Sequence, residues 1–286
     1  MRVQRAAVIG HPIRHTMSPF IHRRLFALGG IPMEYSVLDI GELAQSLPKL
    51  RGYDVFNVTI PYKETLLPFL DELDGKAALF GAVNTVKVEN GRMKGYITDG
   101  TGCLQAIGSE GVGTRGKNVI FGNGGTARAI AFEMAYTNPD FDITIAHRTG
   151  SAGKAEKIAA DIRHFAGARG RIACLPYGQL AQAGPFELAV NATKLGMYPQ
   201  PDASPVGRDV LCRCGAVFDA VFNPEQTLLL RTAQELGIPA VRGIGMLVRQ
   251  AAAAHEIWYG SSFEEEQLQR LCGDTAAEMN RIFYGG

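Results

Sequence analysis

The stretch that most narrows what this chain can become is Phe121-Gly122-Asn123-Gly124-Gly125-Thr126-Ala127-Arg128. It follows a short apolar run, Asn118-Val119-Ile120-Phe121, and opens a helix-period segment from Thr126 to Tyr136. A strand that turns through Gly-x-Gly-x-x-Ala into a helix is the phosphate-binding crossover of a parallel α/β sheet. Gly122 permits the tight turn and Gly124 lets the backbone approach a pyrophosphate. Ala127 allows close packing of helix on strand. The helix start, at Gly125 and Thr126, offers free N–H groups and a partial positive charge.

The next strand, Asp142 to Ala146, ends at His147-Arg148-Thr149. Sites for NAD place a carboxylate about 20 residues beyond the turn, to bind the ribose 2′-hydroxyl. Here there is none; Arg148 would instead pair with a 2′-phosphate and stack on adenine, with Lys154 close in sequence to add charge. The bland alternative is that Arg148 is an ordinary solvated cation. The pattern favours NADP, with Gly122, Asn123, Gly124, Gly125, Thr126, His147, Arg148 and Thr149 as cofactor-binding candidates.

Elsewhere, short apolar runs alternate with helix-period segments along the chain, as an α/β architecture requires. Ala6 to Gly10, Met33 to Leu38, Val55 to Thr59, Glu187 to Val190 and Ala216 to Asp219 read as strands. Ser18-Pro19 reads as an N-cap with Pro at the first helical position, and Gly29-Gly30 as the end of that helix. Asn90-Gly91 between two runs of alternating residues predicts a hairpin with a type I′ turn. A helix is predicted after Gly243, with Leu247, Ala251, Ala254 and Trp258 on one stripe. The length, 286 residues, suggests two domains. We expect a substrate domain of residues 1–102 with 243–286, and a Rossmann-type NADP-binding domain of 103–242.

With 29 Lys and Arg against 28 Asp and Glu, the net charge of +1 argues against a nucleic-acid or polybasic membrane binder. No apolar run reaches the length of a membrane span, and no apolar signal region precedes Gly10, so a soluble cytoplasmic protein is expected. Five scattered cysteines read as reduced thiols; Cys212-Arg213-Cys214 has no matching second pair, and no metal is assigned.

Several polar clusters lie at predicted strand or hairpin ends, where ligand groups gather in α/β proteins. They are His15-Thr16-Met17-Ser18-Pro19, Asn57-Val58-Thr59-Ile60-Pro61-Tyr62-Lys63, Gly81-Ala82-Val83-Asn84-Thr85 and Thr98-Asp99. With the glycine turn, Asn191-Ala192-Thr193-Lys194-Leu195-Gly196-Met197, Asn223-Pro224 with Thr227, and Gly243 to Gln250, they make the chain resemble the shikimate dehydrogenase family over residues 6–260. The resemblance implies reversible NADP-linked reduction of 3-dehydroshikimate to shikimate, in the biosynthesis of chorismate and aromatic amino acids. It assigns Lys63 and Asp99 as catalytic and Thr16, Ser18, Thr59, Asn84, Phe222 and Gln250 as substrate-binding. It adds Asn191, Thr193, Ala220 and Gly243 to the cofactor set. The implied partner is a polyhydroxylated cyclic acid, bound by a monomer or homodimer.

Lys63 has the chemistry to donate a proton to an alkoxide, and hydroxyls and amides suit a polyhydroxylated ring because they both donate and accept. Five positions depart from the family's usual residues. Thr16 replaces Ser, Ile97 stands where Asn precedes Thr98-Asp99, Phe222 replaces a Tyr, and Asn123 replaces Ala in the glycine turn. His147 also replaces Asn before Arg148. A quinate/shikimate or related polyol-acid dehydrogenase is the near alternative, and a non-catalytic NADP-binding regulator the distant one. The Lys63 and Asp99 pair counts against the regulator, which has no need of a proton donor.

Overall fold

A computed structural model describes residues 3–13, 16–167 and 169–284. The chain divides into two compact units, Met1–Thr98 with Gln250–Gly286, and Asp99–Arg249. The second division falls inside one helix, Ile244–Tyr259.

The first unit is built on a six-stranded sheet ordered β2-β1-β3-β5-β6-β4. Its strands are β1 (Gln4–Gly10), β2 (Met33–Asp39), β3 (Val55–Val58), β4 (Glu72–Leu73), β5 (Thr85–Glu89) and β6 (Arg92–Tyr96). β1 pairs in parallel with β2 and with β3, and β3 then pairs antiparallel with β5. Ala6, Ala7, Val8 and Ile9 are all buried, as are the four residues of β3. Strands covered on both faces read as continuous apolar runs, which is why these two were recognisable without alternation. Asn90 and Gly91 join β5 to β6 with φ of 53° and 73°, the positive values a type I′ turn demands.

The helix Ser18–Leu28 begins differently from the expectation. Ser18 is its first helical residue rather than its cap: Met17 stands at the cap position with no side-chain cap bond, and the Ser18 amide donates to the Thr16 hydroxyl at 3.2 Å. The helix ends at Gly29, and Gly30 carries the left-handed φ of 65°. His22 on this helix and His255 on Ile244–Tyr259 meet inside the unit, Nδ1 to Nε2 at 3.1 Å, both fully buried. Tyr35 stacks on His22 at 4.8 Å, and Phe26 and Trp258 complete the apolar surround. The indole N–H of Trp258 donates to the Val86 carbonyl at 3.1 Å, fixing the helix against β5.

The second unit has six parallel strands in the order β12-β11-β10-β7-β8-β9. They are β7 (Lys117–Phe121), β8 (Asp142–His147), β9 (Arg171–Pro176), β10 (Phe186–Asn191), β11 (Cys214–Asp219) and β12 (Ala240–Val241). Counted within the unit this is the doubly wound dinucleotide order, and the chain reverses direction of winding between β7 and β10. Ligands bind at that reversal, outside the carboxyl ends of the strands. β7 and β10 are buried along most of their length, with Val119, Ile120, Phe121, Leu188, Ala189 and Val190 excluded from water. The helix Asp99–Ser109 lies so close to Gly125–Thr137 that a Cβ on Gly100 would sit 2.5 Å from Glu133 Cβ. Among the described residues no helix is long and apolar enough to cross a membrane.

Candidate active site

In the first unit the candidate residues gather at the ends of β1, β3 and β6. Thr59 follows β3 directly; its amide donates to Ile9 O at 2.9 Å, and its carbonyl accepts from Tyr62 N at 2.9 Å. That bond starts the single helical turn Tyr62–Thr65, on which Lys63 stands half-buried. The Lys63 carbonyl accepts from Val83 N at 2.8 Å, so the turn is tied to the segment that carries Asn84. Tyr62 holds the other side through a hydroxyl bond to Ile40 O.

Asn84 is 3% exposed and works as a junction. Its Oδ1 accepts from Thr98 N at 2.8 Å and from the Thr85 hydroxyl at 3.1 Å. Its Nδ2 donates to Thr98 Oγ1 at 2.9 Å and to Gln250 Oε1 at 3.3 Å. Asn84, Thr98 and Gln250 are therefore one lattice. Asn57 on β3 belongs with this group and was not anticipated as a site residue. Tyr35 donates to its Oδ1 at 2.7 Å, while the buried Nδ2 has no hydrogen-bond partner among the described residues. The signal was its position two residues before Thr59, in the middle of an otherwise apolar strand. Thr16 and Ser18 share a hydroxyl bond at 3.1 Å, both half-buried; His15 lies outside the described residues. Ile97 is buried at 4% exposure.

In the second unit Asp99 opens its helix and is half-buried. Gly122 has φ of 103°, and a Cβ there would meet Thr193 Cγ2 at 2.9 Å. Only glycine fits both the angle and the space. Gly124 and Gly125 are exposed, with open space where a Cβ would be, and no side chain caps the helix they begin. Its first amides are the groups such a helix start can offer an anion. Arg148 and Thr149 are exposed beyond β8, while His147 is buried and its Nδ1 contacts the Arg148 carbonyl at 3.1 Å.

Tyr177 was also missed by sequence reasoning. The β8–β9 register sets His147 opposite Pro176, which brings Tyr177 beside Arg148. Burial raises the Tyr177 pKa, and the Arg148 charge and a hydrogen bond from the Gly122 backbone oppose that shift. An aromatic residue just past the third strand was the available clue.

Asn191, Thr193, Ala220 and Gly243 converge around Asp219, a fully buried carboxylate at the end of β11. Asp219 accepts from Asn191 Nδ2 and Val221 N, each at 2.9 Å, and from the Thr227 hydroxyl at 2.6 Å. Burial pushes its carboxyl up to about 6 despite these three donors. Asn191 Oδ1 accepts from Thr193 N and Oγ1, so its amide is engaged within the loops. Ala220 N donates to Asn191 O at 2.9 Å, and a Cβ on Gly243 would come within 2.5 Å of Asp219 O. These residues shape backbone more than they offer side chains. Phe222, next in the same loop, is half-buried.

A turn that admits only glycine, an uncapped helix start and an exposed cation with no carboxylate at the end of β8 fit a dinucleotide with a 2′-phosphate.

A family model for the shikimate dehydrogenase substrate binding domain matches residues 8–86. A shikimate dehydrogenase (NADP(+)) from Methanocaldococcus jannaschii is 38% identical over 261 residues, covering 88% of this chain and 90% of that protein. The chain belongs to the shikimate dehydrogenase family. Members of the fold superpose over nearly the whole chain. The shikimate 5-dehydrogenase of Thermus thermophilus, in complex with NADP(H) and shikimate, has a TM-score of 0.84 at 29% identity, covering 96% of this chain and 100% of that one. The ligand-free 5-ketofructose reductase of Gluconobacter sp. strain CHM43 has a TM-score of 0.82 at 30% identity, covering 96% and 99%. The family's scaffold thus also carries a reductase of a different ketone.

Proposed function

We propose that this chain is an NADP-dependent oxidoreductase that interconverts 3-dehydroshikimate and shikimate, acting in the cytoplasm as a monomer or homodimer. The observation that carries the reading is the Asn84 lattice with Lys63 tied to it through Val83. It combines hydroxyl-recognising amides with a primary amine. Bound NADPH would supply hydride to the ring carbonyl carbon. The Lys63 ammonium donates a proton to the oxygen as negative charge develops there, and in the oxidation direction the amine takes it back. Asp99, at the start of its own helix, would take a substrate hydroxyl, a positioning contribution. Thr16 and Ser18 supply hydroxyl donors for a carboxylate; Asn57, Thr59, Asn84 and Gln250 suit ring hydroxyls. A ring lacking the hydroxyl that faces Asn57 would leave its buried amide unpaired, which is a source of selectivity. Exposed Arg148 and Thr149 would hold the 2′-phosphate, with Asn191, Thr193, Ala220 and Gly243 as further cofactor-binding residues.

Phe222 supports the second reading, a related polyol-acid dehydrogenase, because the family's usual hydroxyl is missing there. Reduced-nicotinamide absorbance, read while crossing shikimate and quinate with NADP and NAD, separates them. Fast turnover confined to shikimate with NADP is expected. A preference for quinate moves the assignment to the second reading, and silence in all four pairs contradicts both.

A further inference from the structure

Asn123 lies inside the glycine turn, between Gly122 and Gly124, yet its side chain points away from the turn's own backbone. Its Nδ2 donates to the Ser151 carbonyl at 2.8 Å, across to the loop that follows β8. Ser151 in turn holds Arg148: its amide and its hydroxyl both reach the Arg148 carbonyl at 3.0 Å. The same carbonyl meets His147 Nδ1 at 3.1 Å. Between Arg148 and Ser151 the chain passes Gly150, at φ of 89° with open space around it, a position with little intrinsic stiffness. On the far side, Tyr177 follows β9 close enough to Arg148 to feel its charge. The loop bearing Arg148 is thus bound to the phosphate turn through the Asn123–Ser151 bond.

We propose that Asn123 is a specificity-determining residue: by clamping the Arg148–Ser151 loop to the glycine turn, it sets the preference for a 2′-phosphorylated dinucleotide over an unphosphorylated one. The inference rests on the NADP reading above. The physical argument is one of division of labour. The turn from Gly122 to Gly125 serves the pyrophosphate, which NAD and NADP share, whereas Arg148 serves the group only NADP has. A loop held in place before binding loses less conformational entropy on meeting its ligand. Cutting the Asn123–Ser151 bond transfers that ordering cost to the 2′-phosphate and leaves the pyrophosphate contacts in place. Asn123 acts through Ser151 and Arg148, so it is a positioning residue.

Calorimetric titration with adenosine 2′,5′-bisphosphate and with AMP tests this without turnover. In Asn123→Ala the affinity for the bisphosphate should fall about fivefold, the worth of one neutral hydrogen bond, with AMP affinity held within twofold. The ratio of KM for NADP to KM for NAD should rise by the same factor. Asn123→Ser, too short to reach Ser151 but still polar, should behave alike and serves if the alanine variant folds poorly. In an Arg148→Ala background, adding Asn123→Ala should change bisphosphate affinity by less than twofold, because the group being positioned is gone. Equal loss for both nucleotides, or a full fivefold effect without Arg148, overturns the clamp. Wild-type protein that binds both nucleotides equally overturns the cofactor reading itself, and wild-type discrimination untouched by either Asn123 variant overturns the clamp alone.

Discussion

The two units build their strand-end sites from opposite materials. Around Asn84 the polar side chains are buried, and most of their hydrogen bonds go to one another. At the glycine turn Gly124, Gly125, Thr126, Arg148 and Thr149 are small or exposed, and what they offer a ligand is backbone amides and a long, exposed cation. A buried lattice discriminates between closely related rings because each mispaired group costs desolvation energy. A backbone cradle accepts any phosphate of the right shape, and needs a side chain such as Arg148 to add selectivity. The first kind of site is coupled to the stability of its unit; the second is not.

Acid should separate the units most. The first hides two imidazoles: burial, and secondarily His255, hold His22 well below its usual range, and burial takes His255 down to about 3. Groups depressed in this way favour folding above about pH 6.5, and that stability is lost as pH falls below it, at about 1.4 kcal/mol per pH unit for each. Asp219 has the opposite sign. With its carboxyl raised to about 6, its favourable contribution is complete below about pH 4 and is lost as pH rises through 6. Between pH 7 and 5 the imidazole pair should cost up to about 4 kcal/mol while Asp219 returns roughly 1 kcal/mol. Melting curves at the two pH values read this directly. His255→Phe should lose less stability on acidification than the parent, and Asp219→Asn should lose more. Identical pH dependence in all three chains would contradict the account.

A smaller effect sharpens the contrast within neutral solution. Asn84→Ala strips partners from Thr98 N, the Thr85 hydroxyl and Gln250, and should lower unfolding free energy by about 1–3 kcal/mol. The same variant should raise KM for shikimate and leave the dissociation constant for NADP unchanged. Thermal melts together with nicotinamide-fluorescence titration distinguish that result from general damage, in which both ligands would weaken.

What the sequence disclosed followed the same division. Buried runs such as Ala6–Ile9 and Val119–Phe121, and turn chemistry such as Asn90-Gly91, announce themselves because local sterics dictate them. β4 and β12, at two residues each, are too short to hold any period, and β9 is a half-exposed edge strand without alternation. They exist because a neighbouring strand offers unpaired backbone groups. The first helix starts one residue earlier than its Ser18-Pro19 signal suggests, with Met17 at the cap and the Ser18 amide turned to the Thr16 hydroxyl. Lys63, Asn84 and the glycine turn were visible as motifs. Asn57 stood in one of them without a role and Tyr177 in none, since each owes its place to a partner far away in sequence, Tyr35 for one and Arg148 for the other.

The central claim is that the amine of Lys63 handles the proton while the surrounding lattice only binds. Steady-state kinetics of Lys63→Ala with shikimate and NADP, paired with calorimetric binding of each ligand, tests it most directly. The account predicts a kcat lower by about a thousandfold with both ligands bound to within a fewfold of the parent. Activity retained within tenfold, or loss that comes entirely from weakened binding, would contradict it.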